Sequence, residues 1–330
     1  MSVFISGATG FIGRKLVKRL LDQGEEVRLL GRDTSDISGL ERPNTTIRRG
    51  DVTNKDSLRA AMTGCTRVFH LAGYARNWAR RAEIYHEVNV QGFRNVAAIA
   101  LEQRIERMVF TSTSVTFGPS KGKDVDETTT RTEDFLTEYE RSKRLAEQEG
   151  EKLLREGLPL VTVNPTRVYG PGRLTEGNSV SRMIKLHLQG KCPFILGSGT
   201  ELGNYVHVDD LVEGHLQAMA KGRIGEKYIL GGDNCSLNRF FVMLSSLSGV
   251  KPPRFHLPPV WAKLFAREEE LRAKLTGRYP LITPGWVETF LRDWTFSSAK
   301  ASAELGFHSR GLAAGLEDTV RWLRDGAGDQ

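Results

Sequence analysis

Apolar positions gather in short runs through the first half of the chain: Val3 to Ser6, Glu26 to Leu30, Thr46 to Arg49, Arg67 to Leu71, Arg107 to Thr111 and Leu160 to Asn164. Each run has the length of a strand. Between most of them lie stretches with apolar residues at helical spacing, such as 81–104 and 137–156. Strands alternating with amphipathic helices predict an α/β fold with a parallel, doubly wound sheet. Ligands bind such sheets beyond the carboxyl ends of the strands, so the residues just after each run are the ones to read for chemistry. Past about residue 170 the rhythm loosens. Segment 173–204 is rich in Gly, Lys and Arg, Tyr205 to Val208 and Tyr228 to Leu230 read as short strands, and Pro258-Pro259 precedes a helix-like Trp261 to Leu275. The Trp261–Phe265 stretch is read as core packing of a small lobe.

The first strand runs into Gly7-Ala8-Thr9-Gly10-Phe11-Ile12-Gly13 and then into Leu16, Val17, Leu20 and Leu21 at helical spacing. Strand, glycine turn and helix in that order make a phosphate cradle. Glycines let the backbone turn tightly and approach a pyrophosphate, and the helix N-terminus offers unpaired N–H groups and a positive dipole end. The spacing is G-x-x-G-x-x-G rather than G-x-G-x-x-G, and its context points to dinucleotide binding.

Later strand ends add to this. Arg32, Thr34 and Ser35 follow the second strand, where an Arg accommodates a 2′-phosphate and an acidic side chain would bond ribose hydroxyls. This favours NADP(H) over NAD(H), although Asp33 stands one residue later. After the third strand, Asp51 and Val52 are placed to meet an adenine amino group, or Asp51 caps the next helix. After the fourth, Leu71-Ala72-Gly73 lets backbone pass close to a ligand, and His70 reads as a packed histidine. Strand five ends in Thr111-Ser112-Thr113-Ser114, a run of hydroxyls able to bond a substrate carbonyl.

Tyr139 and Lys143 stand at i and i+4, on one helix face. A phenol, with a reference pKa of about 10, exchanges protons poorly at neutral pH until a nearby ammonium stabilises its phenolate. With Lys143 beside it, Tyr139 is a candidate to protonate a carbonyl as hydride arrives, or to accept a proton from an alcohol in reverse.

Composition narrows the class. The chain has 330 residues, 39% hydrophobic and 26% charged, enough for one large α/β domain with an appended lobe. Its formal net charge of +7 is spread along the chain, with the densest cluster at Arg76, Arg80 and Arg81. This suits an anionic cofactor or substrate rather than nucleic acid. Cys65, Cys192 and Cys235 have neither disulfide nor zinc spacing, so no metal site is expected. No apolar run reaches the length of a membrane span, and the first strand begins at once, leaving no room for a signal peptide; a cytoplasmic location is expected.

The glycine turn, the hydroxyl strand end and Tyr139-x-x-x-Lys143 together resemble the extended short-chain dehydrogenase/reductase superfamily over nearly the whole chain. Asn89-Val90-Gln91-Gly92, Asn164-Pro165-Thr166-Arg167-Val168-Tyr169-Gly170 and Tyr205-Val206-His207-Val208-Asp209-Asp210-Leu211 are similar to its signatures. The likeness is greatest to the dihydroflavonol 4-reductase-like and 3β-hydroxysteroid dehydrogenase-like branch. It implies a Rossmann-type dinucleotide domain over 1–170 and a smaller, mainly substrate-binding lobe over 171–330, with 205–225 returning to the first domain. It also implies Thr113, Tyr139 and Lys143 as catalytic residues, and Asn89, Pro165 and Val168 beside the cofactor.

The expected activity is NADP(H)-dependent interconversion of a ketone or aldehyde and an alcohol. The pocket would be roofed by 74–86, 119–136, 173–204 and 255–290. Trp78, Phe135, Trp261, Phe265 and Trp286 suggest a partly apolar small molecule. Arg76, Arg80, Arg173 or Arg182 would hold an anionic group on it, and Ser114 and Tyr205 are further substrate candidates. A nucleotide-sugar epimerase with bound NAD is the alternative. Against it, Gly203 stands where such enzymes usually carry a diphosphate-binding Arg, although Arg173 or Arg223 would be substitutes. A non-catalytic dinucleotide sensor is a third reading. Helices 81–104 and 137–156 permit a homodimer.

Overall fold

The computed structural model describes residues 2–175 and 177–326. Its central sheet has seven parallel strands: β1 (Ser2–Ser6), β2 (Glu26–Gly31), β3 (Thr45–Arg49), β4 (Cys65–His70), β5 (Arg107–Thr111), β6 (Leu160–Pro165) and, from the second half of the chain, β10 (Lys227–Leu230). Their order is β10-β6-β5-β4-β1-β2-β3. The chain runs outward from β1 on one side and from β4 on the other, so the crevice between those two strands is the topological switch point where such sheets take ligands.

Helices cover both faces. One carries α1 (Phe11–Asp22) and α7 (Val208–Lys221), which bury Leu16, Val17, Leu20 and Leu211 with Phe69 and Val163 of the sheet. The other carries α2 (Lys55–Met62), α4 (Gly92–Glu102) and α5 (Glu138–Arg155), around Phe93, Val96, Phe110 and Leu160. Each such side chain fully removed from water contributes about 2–3 kcal/mol. Strands that must be apolar on both faces explain why they read as continuous runs rather than alternations.

The stretch 81–104 is not one regular helix. A short α3 (Glu83–Tyr85) passes into a π-helical turn at His86–Gln91 before α4 begins. Such a π turn re-aims the side chains within it and often marks a functional position.

The remaining elements build the second lobe. The small strands β7 (Arg167–Tyr169), β9 (Leu202–His207) and β11 (Asp233–Ser236) form one sheet, and β8 (Phe194–Leu196) pairs with β12 (Phe255–Leu257). Around them pack α6 (Ser179–Leu188), α8 (Leu237–Ser248), α9 (Pro259–Thr276), α10 (Pro284–Phe290) and α12 (Leu312–Arg324). Between these last two, α11 (Ala299–Leu305) puts Ala301 and Leu305 into the first core. Alternation along β9 joins the lobes: Val206 enters the core beneath α1 while Tyr205 enters that of the second lobe beside Tyr169 and Phe240. Among the described residues, no helix is long and apolar enough to cross a membrane.

Candidate active site

The glycine turn lies at the switch point. Gly7 follows β1 with φ of +77°, and a Cβ there would sit 2.5 Å from the backbone nitrogen of Ala72. A Cβ on Gly13 would run into the Gly7 carbonyl oxygen. Two backbones therefore approach too closely for any side chain. Gly10 is the N-cap of α1, no side chain caps that end, and no acidic residue occupies its first turn. The N–H groups there, with Thr9, Phe11 and Ile12 around them, keep their capacity to bind an anion.

Beyond β2, Ser35 Oγ accepts from the Arg32 N–H at 3.1 Å and the Arg49 guanidinium donates to the Arg32 carbonyl at 2.6 Å, fixing a turn that leaves the Arg32 and Thr34 side chains exposed. Arg14, on the first turn of α1, reaches the same loop and pairs with Asp36 at 3.1 Å. Its neighbour there is Arg173, 2.8 Å from the same carboxylate. Arg173 was expected at the substrate; its guanidinium is instead tied to the loop after β2. Asp51 does not cap α2. Its carboxylate accepts from the backbone and hydroxyl of Thr53, while Asn54 caps the helix through Asp56 and Ser57. Val52 is held by a hydrogen bond from Asn95 to its carbonyl at 2.9 Å.

At β5, three successive hydroxyls take different roles. Ser112 Oγ donates to the buried Glu147 carboxylate at 2.5 Å, and Ser114 is buried at the start of a 3-10 turn. The Thr113 hydroxyl lies close enough to the Tyr139 phenol to pull its pKa down. Asn164, at the end of β6, donates to the Thr113 carbonyl at 3.0 Å and to Glu147 at 2.8 Å, so the strand end is braced from both sides. Arg144 and Lys227 neutralise Glu147 at 3.2 and 2.9 Å.

Thr137 caps α5 by accepting from the Glu140 N–H at 3.2 Å, and Glu140 forms a buried ion pair with Arg131 at 2.9 Å. That start presents Tyr139 and Lys143 toward the crevice. Lys143 Nζ donates to the Thr111 carbonyl at 2.7 Å and lies over the Phe110 ring. Burial brings its pKa down from 10.5 to about 8, against the opposing pull of Glu147. The Tyr139 phenol is pushed up to about 12 by burial, with the Thr113 hydroxyl pulling the other way. Lys143 is not among the groups that move the phenol; its ammonium donates to the Thr111 carbonyl.

Asn89, presented by the π turn, donates to Ser142 Oγ at 2.8 Å and accepts from the Tyr74 N–H at 2.6 Å. It thereby ties α5 to the strand-four exit. A Cβ on Gly73 would lie 3.2 Å from Asn89 Oδ1 and 3.4 Å from Lys143 Nζ, so Leu71-Ala72-Gly73 passes directly beside that pair. His70 is packed, its Nδ1 2.6 Å from Ser6 Oγ and its ring stacked on Phe110; burial lowers its pKa to about 3. Pro165 is buried at the end of β6, and Val168 pairs with Val206 across β7 and β9.

Four aromatic residues gather beside this crevice. Tyr74 meets Tyr85 edge-on, Trp78 meets Tyr279 edge-on, and Tyr279 Oη accepts from the Asn77 N–H at 2.9 Å. The Arg76 guanidinium lies between the Tyr74 and Tyr279 rings, 5.8 and 6.0 Å from their centroids. Other substrate expectations are corrected. Tyr205 is a core residue, its ring tilted against Phe240 at 5.1 Å between centroids, because it occupies the lobe-facing side of β9. Ser114 is closed off from solvent. Trp261 and Phe265 point outward, because α9 buries its alanines instead.

Arg223 pairs with Glu304 at 2.6 Å, so neither it nor Arg173 takes the position expected beside Gly203. That place belongs to Arg167, whose guanidinium a Cβ on Gly203 would strike. A cleft of about 550 Å³ runs along the outer side of α5 between 127–135 and Arg144, and Tyr139 and Lys143 do not line it. His207, Asp209 and Asp318 lie close together, but His207 Nδ1 accepts from the Asp209 N–H as the cap of α7, which occupies that lone pair.

Glu147 and Tyr279 are not among the site residues that the sequence offers; Thr111 stands in the hydroxyl run and Asn164 in a signature segment, but their bonds to Lys143 and Glu147 appear only in the structure. Glu147 had a readable signal, since it stands one further helical turn beyond Lys143 on the same face. Tyr279 had none, because its approach to Asn77 spans most of the chain.

A parallel sheet in this order, a glycine turn at its switch point and a Tyr-x-x-x-Lys helix at β5 define a Rossmann-type enzyme of the extended short-chain dehydrogenase/reductase class. The sequence pattern of the NAD dependent epimerase/dehydratase family matches residues 3–231, and the chain belongs to that family. It is 32% identical to a putative dihydroflavonol 4-reductase of Synechocystis sp., over 98% of this chain and 94% of that protein. Among solved structures it is similar to that of gox2253, with 36% identity, a TM-score of 0.83 and 98% of each chain covered. It shares its fold with the UDP-glucose 4-epimerase of Thermotoga maritima solved with UDP-glucose, at 23% identity and a TM-score of 0.83, over 99% of this chain and 100% of that one.

Proposed function

We propose that this protein is an NADP(H)-dependent reductase that converts a ketone or aldehyde to an alcohol, or runs the reverse reaction. The observation that carries this reading is the end of β5, where the buried Lys143 ammonium donates to the Thr111 carbonyl at 2.7 Å, one helical turn from Tyr139, and the Thr113 hydroxyl stands beside that phenol.

The residues present fit a dinucleotide. Gly7 and Gly13 let β1, the start of α1 and the strand-four exit approach backbone to backbone in a tight turn, and the uncapped start of α1 at Gly10 supplies N–H donors for a pyrophosphate. Asp51 and Val52 would hold the adenine. Arg32, Thr34 and Ser35, joined by Arg14, would hold a 2′-phosphate, the basis for favouring NADPH. Leu71, Ala72, Gly73, Asn89, Pro165 and Val168 would line the nicotinamide end. When bound, the nicotinamide supplies or accepts a hydride.

The chain's own part is proton handling. Thr113 Oγ1 and Tyr139 Oη would converge on the substrate oxygen. The phenol would give its proton to that oxygen as the C=O double bond becomes a C–O single bond. The phenolate left behind would be stabilised by Thr113 and by the nearby Lys143, then reprotonated from solvent. Such a positioned donor typically contributes about 10²–10⁴-fold. Tyr74, Trp78, Tyr85 and Tyr279 suit a partly apolar substrate, and Arg76 suits an anionic group upon it.

A second reading, epimerisation of a nucleotide sugar, is favoured by Arg167, which fills the space beside Gly203 and would offer a cation to a diphosphate there. Stacking of Arg167 on Phe290, 4.3 Å from the ring centroid, and its bond to Tyr205 count against its release for that task.

The deciding experiment is a parallel titration of nucleotide-stripped protein with NADPH and NADH, followed by nicotinamide fluorescence, then turnover assays with aldehydes and ketones. Preference for NADPH and consumption of it by a carbonyl compound are expected. Preference for NADH together with turnover of a UDP-sugar would replace this reading with the second. Binding without turnover of either substrate class would favour a sensor.

A further inference from the structure

The helix α9 has three faces where a surface helix of a globular protein has two. Ala262, Ala266, Glu269 and Ala273 recur at helical spacing and form the side packed against the lobe, beside Val287 and Trp286 of α10. The short alanines bring the helix close and leave nothing larger to bury. At about 100° per residue, Val260, Trp261, Leu264, Phe265, Leu271 and Leu275 fall together in one arc that faces away from the protein. Val260 is 74% exposed, Trp261 62% and Leu275 78%. Only Glu268 and, at the edge, Arg272 interrupt this arc.

The third face carries three cations, Lys263, Arg267 and Lys274, in the sector between the alanines and the apolar arc; Lys263 pairs with Glu288 of α10 at 2.6 Å and Lys274 with Glu270 at 3.3 Å, with Arg267 between them. Over 251–278 there are seven Lys and Arg against three Glu, and one of those three, Glu269, is turned inward to accept the Leu281 N–H. The patch continues beyond the helix. Phe255, 62% exposed, precedes it in contact with the exposed Phe194, and the exposed Leu281 follows it.

We infer that this face of α9 docks the protein on an anionic lipid bilayer, with the helix lying in the interface and its apolar arc immersed at the headgroup boundary. Trp, Phe and Leu on one side with Lys and Arg along the flank is the distribution such helices use. The long stem of Arg267 can lie along the apolar boundary while its charge stays among lipid phosphates, and Lys263 and Lys274 would reach phosphates by exchanging the carboxylates of Glu288 and Glu270 for them. A membrane satisfies both the apolar arc and its positive margin. A second copy of the same face does not, because a symmetric pairing would bring two positive margins together. The lobe itself is no alternative cover, since α9 already meets it through its alanines.

The inference does not depend on which reaction the crevice performs. It does bear on access, because the chain leaves α9 through Gly277 and arrives two residues later at Tyr279, which holds the 77–78 segment against the aromatic pocket. The far end of the docked helix thus borders the entrance of the candidate site.

The test is flotation of the purified full-length protein with vesicles of phosphatidylcholine alone or mixed with phosphatidylglycerol. Strong partitioning onto the phosphatidylglycerol vesicles is expected, weakened by salt as surface charges are screened. The double variant Leu264→Glu/Leu271→Glu should lose at least about tenfold of the partitioning, the cost of placing carboxylates at an apolar boundary. Arg267→Glu with Lys274→Glu should abolish the preference for phosphatidylglycerol. Both changes are at exposed positions, and unaltered circular dichroism and cofactor titration would show the fold intact. Trp261→Phe should remove the blue shift of tryptophan emission that vesicles produce. Failure of the wild type to float, or flotation untouched by the Leu264/Leu271 double variant, would overturn the inference. So would a dimer in sedimentation that this double variant dissolves, which would assign the face to a second copy.

Discussion

Lys143 Nζ donates to the carbonyl of Thr111 across 2.7 Å, two residues before the threonine whose hydroxyl stands beside the Tyr139 phenol. One end of β5 therefore meets both members of the Tyr-x-x-x-Lys pair, holding the lysine through a backbone oxygen and placing a hydroxyl beside the tyrosine. Anything that shifts this strand end shifts both.

Tyr139→Phe removes the proton and little else. Turnover should fall by at least about 10²-fold, while the affinity for the preferred nicotinamide cofactor stays within about twofold. Steady-state kinetics alongside fluorescence titration checks both. Retained turnover would end the assignment of Tyr139 as proton donor.

Lys143 titrates near pH 8 in the fold and near 10.5 when unfolded. Between those values the unfolded chain binds more protons, so this group makes stability rise with pH across that window. The charged form costs stability below it. Melting temperatures at pH 7.5 and 9.5 should show that rise in the wild type and a smaller one in Lys143→Met.

His215 works in the acidic range. Its Nδ1–H donates to the Leu211 carbonyl at 2.8 Å, its Nε2 accepts from Thr111 Oγ1 at 2.9 Å, and burial lowers its pKa from 6.5 to about 4. The fold keeps it neutral, so stability should fall as pH drops from 6.5 toward 4. His70, also buried, adds to the loss down to about 3. His215→Gln should flatten the slope of melting temperature against pH across its window.

Glu147 is a buried carboxylate with five partners: Ser112, Thr116, Asn164, Arg144 and Lys227. Glu147→Ala should cost about 3–5 kcal/mol, the usual penalty for stripping one partner from a buried charged network. Glu147→Gln, which keeps the hydrogen-bonding shape, should cost less. Denaturant unfolding measures the difference. Equal losses would mean that the charge accounts for the whole effect and the hydrogen-bonding shape for none of it.

Gly13→Ala places a methyl against the Gly7 carbonyl, and α1 must shift to admit it. Cofactor affinity should drop by more than about tenfold, one factor of ten being worth 1.4 kcal/mol. Gly311→Ala, with φ of −59° and its nearest neighbouring atom 3.9 Å away, tests whether the loss belongs to this contact.

Much of this molecule is readable along the chain because its governing interactions are local or periodic. The six first-half strands of the sheet lie within a few residues of the runs read for them; the inner five are buried and mostly apolar, whereas β3, at the sheet edge, is rich in Thr and Arg and has no buried residue. The Tyr139–Lys143 pair follows from helix pitch, and the Gly7–Gly13 turn from the space that backbone approach requires. His70 is packed, in keeping with the apolar run that ends on it.

What the tertiary structure alone decided involves residues far apart in sequence. Which of Ser112, Thr113 and Ser114 meets Tyr139 depends on Glu147 and Asn164 drawing Ser112 away. Arg173 is tied to Asp36 and Tyr205 is sealed in a core, both through contacts that no local pattern encodes. Trp261 and Phe265 were read as core, because an aromatic-rich helix ordinarily buries that face. Only the assembled lobe shows the alanines of α9 turned inward and its large apolar side chains turned out. Periodicity states how many faces a helix has; what each face meets is set by chain brought in from elsewhere.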